Sequence, residues 1–271
     1  MREFVKKYII ITLSVLILPY AEAACPDGKT YPVHFTFDDG PNAVLTPKVL
    51  DILKDEGVPA TFFVLGSHFA GGKANPNNKG KYALLDRMKR EGHRIGSHTY
   101  DHINHPTFSE AKVRENIMKP NPLLKDYLSP VLRLPYGGGA FRSSNAATQA
   151  KNDMVMRNVR NAGFKHVLWD IDTNDWDAKK RPTLLPTMLK DICRQKGGIV
   201  LFHDVQKFTA DNLREWIRAI KREGHTFAPM ERFVPEARNP LPAKACEWPP
   251  SPKAIKALND DVEEVINQIE E

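Results

Sequence analysis

Short apolar runs along the chain alternate with longer segments whose apolar residues recur every three or four positions. The short runs predict strands, and the longer segments predict amphipathic helices. The predicted strands are Val33–Phe37, Ala60–Leu65, Arg94–Ser97, Val131–Leu134, His166–Trp169, Ile199–Phe202 and Thr226–Ala228. The predicted helices are Thr46–Glu56, Tyr82–Glu91, Glu110–Lys119, Ser144–Ala162, Pro182–Gln195 and Ala210–Glu223. This alternation predicts an α/β fold with a parallel sheet, open or closed into a barrel, whose active groups gather at the carboxyl ends of the strands.

The first residues of the chain have the pattern of a signal peptide. Arg2, Lys6 and Lys7 precede an apolar run, YIIITLSVLIL, that is short for a bilayer span. The sequence Ala-Glu-Ala at positions 21–23 is a small-x-small cleavage site. We therefore predict a signal peptide at residues 1–23, export to the periplasm or the medium, and no stable membrane insertion after cleavage. The alternative is an uncleaved membrane anchor.

Two further segments follow the predicted body at residues 24–234. Prolines are frequent from 235 onward, which predicts a linker at residues 235–251. Residues 252–271 are acidic, and their apolar residues recur at helical spacing, which predicts a C-terminal helix. This helix has an apolar stripe (Ile255, Leu258, Val262, Ile266 and Ile269) and is expected to dock on the outside of the body. The alternatives are that it stays mobile or that it covers the mouth of the site.

The distribution of charge along the chain indicates which kinds of binding partner the protein suits. The chain carries 39 basic and 33 acidic residues, a net charge of +6. Residues 247–271 hold two lysines and seven acids, so the body that remains after signal cleavage is strongly basic. A basic body suits an anionic partner such as a cell-wall polymer, although it is equally consistent with a surface that only aids solubility. The aromatic-basic pattern of a nucleic-acid module is absent, and we expect a monomer that binds no nucleic acid.

Three cysteines are present: Cys25, Cys193 and Cys246. Export permits a disulfide, and an odd count leaves one cysteine over. Cys25 and Cys246 bracket the body, whereas Cys193 lies within the apolar stripe of a predicted helix. We therefore predict a Cys25–Cys246 bond.

Paired carboxylates and paired histidines follow two of the predicted strands. Asp38 and Asp39 stand in the sequence TFDDGP, where one carboxylate can bind a cation while its neighbour takes a proton. His98 and His102 stand four residues apart, the spacing of two side chains that bind one metal on a single helical turn. Considered singly, the first motif is equally consistent with a common Asp-Gly turn, and the second with a surface histidine pair.

Three more polar motifs follow predicted strands. Arg133 in RLPYG can orient a carboxylate, and the turn after Pro135 can offer a backbone N–H to an oxyanion. His203 in LFHD is a candidate proton donor beside Asp175 from the DTNDW segment. Nearby apolar side chains, Trp176 and Leu201, can form a wall for a small acyl group. Each motif alone also fits ordinary surface or core positions, but five such placements at strand ends point to one site.

At these five positions the sequence resembles the polysaccharide deacetylases of carbohydrate esterase family 4, the NodB-homology domain. The family motifs TFDDGP, H-[ST]-x-x-H, R-x-P-Y, D-x-x-D-W and L-x-H occur here in family order. The resemblance implies a distorted (β/α) barrel of about seven parallel strands, and it implies roles for ten residues. By this resemblance Asp38 is the general base, Arg133 holds that base, and the metal ligands are Asp39, His98 and His102. His203 is the general acid, and Asp175 tunes it. The backbone N–H of Tyr136 binds the oxyanion, and the acetyl pocket is walled by Trp176 and Leu201.

Two departures from the family pattern affect these assignments. Proline often follows the second motif histidine directly, but here Ile103 follows His102 and Pro106 follows His105, so His105 is a competing ligand. The third motif continues as three glycines, Gly137 to Gly139, which are expected to open the cleft.

The resemblance implies metal-dependent removal of N-acetyl groups from a glycan polymer. One divalent ion is expected, zinc first and cobalt or another ion as substitutes. Export and the basic body favour N-acetylglucosamine in peptidoglycan as substrate; chitooligosaccharides and exopolysaccharides are the alternatives. Two rival functions are an inactive glycan-binding relative and an iron oxygenase, since two histidines and a carboxylate also serve that chemistry. Neither rival uses the whole set of motif residues.

Overall fold

Eight parallel strands form one curled sheet in the computed structural model, which describes residues 25–242 and residue 245. The strands are β1 Pro32–Asp38, β2 Ala60–Val64, β3 Arg94–Ser97, β4 Val131–Leu132, β5 Lys165–His166, β6 Ile171–Asp172, β7 Gly198–His203 and β8 Thr226–Phe227. Seven of them follow the order β5-β4-β3-β2-β1-β7-β6, and β8 pairs with the start of β1. This curled half-barrel confirms the predicted distorted (β/α) barrel of about seven parallel strands.

Seven helices connect the strands in the described part of the chain. They are α1 Leu45–Glu56, α2 Lys79–Arg90, α3 Glu110–Met118, α4 Asn121–Leu124, α5 Ala146–Asn161, α6 Leu184–Gln195 and α7 Lys207–Arg222. Six correspond to predicted helices, and the four-residue α4 was not predicted because it is too short to show a helical period. None of the described helices combines the length and the apolar character that a membrane crossing needs.

Buried aromatic rings fix the centre of the sheet. Phe37 on β1 stacks against Phe62 of β2 at 5.1 Å and against Phe202 of β7 at 5.8 Å between ring centroids. Phe202 in turn stacks on Trp216 of α7 at 5.3 Å. Each such pair contributes about 0.5–1.5 kcal/mol beyond its buried area. The packing holds β1 between β2 and β7, so the residues that follow Phe37 leave the sheet at a defined point.

The predicted strand His166–Trp169 is wrong in its extent. The chain forms β5 at Lys165–His166, leaves the sheet, and returns as the unpredicted β6 at Ile171–Asp172. The carbonyl oxygens of Val167 and Leu168 accept hydrogen bonds from the Arg133 side chain at 3.1 and 3.0 Å. A long buried side chain thus takes the backbone acceptors that a continuous strand would use.

The predicted Cys25–Cys246 disulfide is also wrong, because Cys25 is bonded to Cys193. The prediction assumed that Cys193 is a core residue of its helix. In α6 the buried face is formed by Leu184, Met188 and Ile192, while Cys193 lies at the edge of that face and is only half-buried. Its side chain therefore reaches the segment ahead of β1, where Cys25 is 3% exposed.

The first residues of the predicted linker pack on the body. Pro235–Arg238 form a 3₁₀ turn in which Ala237 is fully buried. Further along, the carbonyl oxygen of Ala245 accepts a hydrogen bond from the side chain of Asn121. The predicted signal peptide, residues 243, 244 and 246–251 of the predicted linker (Cys246 among them), and the predicted C-terminal helix lie outside the described residues.

Candidate active site

Loops from five strands meet at the carboxyl edge of the sheet. Asp38 ends β1 and is paired in register with His203, which ends the neighbouring β7. His98 follows β3 directly, and Arg133 follows β4 directly. Asp175 follows β6 and bonds to His203. Parallel strands end at the same edge, so residues far apart in sequence come together here.

Asp39, His98 and His102 form a cluster suited to a metal ion. Oδ1 of Asp39 lies 3.4 Å from Nε2 of His98 and 3.3 Å from Nε2 of His102. The three potential ligand atoms all lie within 4.8 Å of one another. Oδ1 of Asp39 is buried and has no hydrogen-bond donor, the state expected of an oxygen that serves as a metal ligand. One carboxylate and two imidazoles match the donor set of an open catalytic zinc site.

The hydrogen bonds around this cluster prepare it for a cation. His98 Nδ1 lies 2.7 Å from the carbonyl oxygen of Arg133, to which it must donate a hydrogen, so Nε2 keeps its lone pair toward Asp39. Burial alone would raise the pKa of Asp39, but the neighbouring His98 and His102 imidazoles outweigh burial and lower this pKa to about 2. A carboxylate is therefore present at Asp39 across the ordinary pH range.

His105 lies outside the three-residue cluster. Its side chain is fully buried, and both ring nitrogens lack hydrogen-bond partners of acceptable geometry. Burial lowers the pKa of His105 to about 4, so its ring is neutral near pH 7. The geometry groups His102, and not His105, with Asp39 and His98.

Arg133 holds Asp38 in place. The guanidinium is completely buried, and its NH1 donates to Oδ1 of Asp38 at 2.9 Å and to the hydroxyl of Thr36 at 2.8 Å. The group also lies 4.4 Å from the centre of the Phe63 ring. Its Nε and NH2 also donate to the two carbonyls after β5, so four hydrogen bonds hold the Arg133 side chain. Asp38 is consequently fixed, with Oδ2 turned toward Nε2 of His98 at 3.8 Å.

Asp175 and His203 form a second charge-assisted pair. Nδ1 of His203 donates to Oδ1 of Asp175 at 2.7 Å, and the backbone N–H of His203 donates to Oδ2 at 2.8 Å. Thr209 also donates to this oxygen. Burial alone would lower the pKa of His203, but the hydrogen bond and charge of Asp175 raise it to about 9. The imidazole is therefore protonated near pH 7 and can give up a proton.

Backbone strain is concentrated at this edge. Six described residues other than glycine have positive φ, and five of them lie in the site loops: Asp39, Thr99, His102, Tyr136 and Asn174. Such conformations cost free energy and persist where surrounding contacts enforce them. Tyr136, at φ 60°, places its ring edge-on against His102 with 4.8 Å between centroids.

The two predicted wall residues differ in exposure. Leu201 is buried on β7 opposite Asp172, whereas Trp176 is 55% exposed next to Asp175. Leu201 is thus already packed into the sheet, and the surface left for a ligand comes mainly from Trp176.

Sequence reasoning missed two residues that support Asp39. His68 donates from Nε2 to the carbonyl oxygen of Asp39 at 3.1 Å. Asp204, completely buried, lies against Gly40 and accepts a hydrogen bond from Thr46. Asp204 stood beside His203 in the motif, and an acid directly after a buried strand was a usable signal. Nothing in the sequence around His68 distinguishes it from a surface residue.

Comparisons with known proteins agree with this geometry. Residues 26–159 match the polysaccharide deacetylase family. A peptidoglycan-N-acetylglucosamine deacetylase of Listeria monocytogenes is 33% identical over 215 residues, which are 78% of this chain and 41% of that protein. The chain thus spans less than half the length of that relative.

Two further proteins are similar over most of their own length. A chitooligosaccharide deacetylase of Sinorhizobium fredii is 31% identical over 188 residues, covering 69% of this chain and 79% of that protein. A solved peptidoglycan N-acetylglucosamine deacetylase in complex with a substituted benzamide has a TM-score of 0.60 at 28% identity, covering 75% of this chain and 88% of that one. The chain belongs to the polysaccharide deacetylase family.

Proposed function

We propose that this protein is an exported, divalent-metal-dependent deacetylase that hydrolyses the N-acetyl amide of N-acetylglucosamine units in peptidoglycan. One observation carries the proposal: the Asp39–His98–His102 cluster shares one edge of the sheet with a carboxylate held by Arg133 and an imidazole held by Asp175. Amide hydrolysis needs an activated water, a stabilised oxyanion and a proton for the leaving amine. The site has a candidate group for each requirement.

The proton transfers fall to Asp38 and His203. Asp38 accepts a proton from the attacking water, and the Arg133 contact keeps its carboxylate aimed at that water. His203 gives the proton on Nε2 to the amine nitrogen as the C–N bond breaks, while Asp175 keeps Nδ1 protonated. The products are acetate and a free amino sugar. The two residues are register partners on adjacent strands, so acid and base can face the same amide.

Asp39, His98 and His102 would hold the metal. The chemistry supplied by such an ion would be Lewis-acid polarisation of the acetyl carbonyl and activation of the attacking water. Zinc suits the mixed nitrogen and oxygen donors, and cobalt accepts the same set. The backbone N–H of Tyr136, a residue in left-handed conformation in the loop after β4, is the proposed oxyanion donor.

The choice of peptidoglycan rests on similarity and on charge. A listerial relative and a solved structural relative are both named as peptidoglycan N-acetylglucosamine deacetylases. The apparent signal peptide would deliver the enzyme to the cell wall, and the basic body suits an anionic polymer. The rhizobial relative is named as a chitooligosaccharide deacetylase, so soluble oligomers of N-acetylglucosamine are the second candidate substrate.

The test is treatment of purified peptidoglycan with purified protein, followed by muramidase digestion and mass spectrometry. Loss of acetyl mass from glucosamine is the expected result, with Asp38→Asn as the matched inactive control. Chelation should abolish the reaction, and added zinc or cobalt should restore it. Turnover of N-acetylglucosamine oligomers with untouched peptidoglycan would favour the second candidate, and full activity without metal would contradict the proposed mechanism.

A further inference from the structure

The large apolar side chains that are exposed are confined to one end of the described structure. Among residues 25–242, five large apolar side chains are exposed: Val44, Phe108, Tyr136, Phe141 and Trp176. All five lie in loops that follow the carboxyl ends of β1, β3, β4 and β6, the edge where the candidate active site is built. Scattered apolar exposure needs no explanation, but exposure restricted to the site edge indicates a surface that contacts a ligand.

Two of these rings are neighbours in the loop after β4. Tyr136 is 64% exposed and Phe141 is 55% exposed. The Phe141 ring lies on the α-carbon of Gly137, where an added Cβ would be only 2.6 Å from a ring carbon. Tyr136 packs on His102, a candidate metal ligand, and Phe141 packs on the residue that follows Tyr136; we call these two exposed rings the aromatic strip.

The loop that carries the strip is held on several sides. The side chain of Asn152, on α5, donates to the carbonyl oxygen of Phe141 at 2.8 Å. Gly139, at φ 91°, lies against Val155 of the same helix. Gly138 lies against the loop after β3, at Asn104 and Pro106. These contacts hold the loop backbone in the conformation that leaves the Phe141 ring exposed.

We propose that the Tyr136–Phe141 strip binds the sugar unit next to the N-acetylglucosamine being deacetylated. This inference rests on the proposed function, and it makes the preferred substrate an oligomer or polymer. The C–H groups on one face of a pyranose ring form an apolar surface that matches an aromatic face, whose quadrupole attracts C–H hydrogens. The strip starts beside His102, so a sugar lying on it is adjacent to the reacting unit in the same glycan chain.

The strip supplies binding that is the same in the ground state and the transition state, so its loss affects KM and leaves kcat nearly unchanged. Phe141→Ala should raise KM for N-acetylglucosamine oligomers of two or more units by about 3- to 10-fold. Acetate release from a small acetyl ester that lacks sugar should not change. Phe141→Tyr should restore the wild-type KM because it keeps the ring.

The experiment measures acetate release by metal-loaded wild type, Phe141→Ala, Phe141→Tyr and Phe108→Ala on a chain-length series from one to four units. Phe108→Ala removes another exposed ring from the same face and should leave every KM unchanged. If Phe141→Ala is active and its KM equals that of the wild type at every chain length, the proposal for the strip is wrong and the proposed function stands. The same conclusion follows if KM rises equally in Phe108→Ala. A wild type that hydrolyses the ester but no oligomer would overturn the proposed function and the strip together.

Discussion

The carboxyl group of Asp204 lies directly against the α-carbon of Gly40, the residue after the candidate metal ligand Asp39. Asp204 is completely buried, and one of its oxygens accepts a hydrogen bond from the hydroxyl of Thr46. That hydroxyl in turn accepts the backbone N–H of Asn42 at 2.8 Å. The turn after β1 is thus tied to the end of β7, which also supplies His203. The contact couples the position of the candidate metal ligand Asp39 to that of the proposed general acid His203.

Gly40→Ala should reduce both stability and turnover. An added Cβ would overlap the Asp204 carboxyl group, so the turn or the strand end must move. Overpacking of this kind costs about 1–3 kcal/mol of unfolding free energy. Urea unfolding and kcat with a small acetyl ester measure the two effects. Gly80→Ala is the matched control, because nothing lies within 4 Å of a Cβ at that position. Equal behaviour of the two variants would show that the turn tolerates the displacement.

The sequence predicted the alternation of elements and the meeting of the five motifs, because both follow from local patterns and from the geometry of parallel strands. It indicated that Arg133 holds a carboxylate, but not that this side chain also binds the backbone after β5. A completely buried arginine takes backbone acceptors after β5, and this side-chain requirement ended the strand that apolar periodicity had extended to Trp169. Supporting contacts such as His68 to Asp39 depend on three-dimensional packing, and no spacing rule encodes them.

The fall of kcat at alkaline pH should follow the deprotonation of His203. The general acid must be protonated, and the pKa of His203 is about 9, so kcat should fall as pH rises through that value. Asp175→Asn removes the charge that raises this pKa while keeping a similar shape. The alkaline fall of kcat should then move to lower pH, and kcat near pH 7 should fall by ~10²-fold or more.

Asp211→Asn, which alters an aspartate paired with Lys48 and Lys207 on the surface, should leave the dependence of kcat on pH unchanged. An alkaline fall of kcat that does not move in Asp175→Asn would assign the titration to another group.

His102→Ala and His105→Ala should have opposite effects on metal and stability. His102 is half-buried and faces Asp39, so its loss should remove most bound metal while leaving the unfolding free energy of the apoprotein nearly intact. His105 is fully buried, so its truncation leaves a void and should cost about 1–3 kcal/mol while metal is retained. Metal content after dialysis and urea unfolding without metal measure the two quantities. Retention of metal by His102→Ala together with its loss from His105→Ala would reverse the ligand assignment.

Cys193→Ser should lower stability without changing the chemistry. The bond between Cys25 and Cys193 joins residues 168 positions apart, and closing so long a loop restricts the unfolded chain, for which about 2–4 kcal/mol is typical. Cys25 precedes β1, and Cys193 lies in the last turn of α6, just ahead of β7. Both therefore lie near the amino ends of the two strands whose carboxyl ends carry Asp38 and His203. We expect a lower urea midpoint with kcat/KM unchanged at temperatures where the variant is folded.

Cys246→Ser is the matched control and should unfold like the wild type. Peptide mapping of the non-reduced protein after export tests the pairing directly, and a peptide joining Cys25 to Cys246 would contradict the assigned bond. A loss of stability in Cys246→Ser equal to that in Cys193→Ser would contradict it as well.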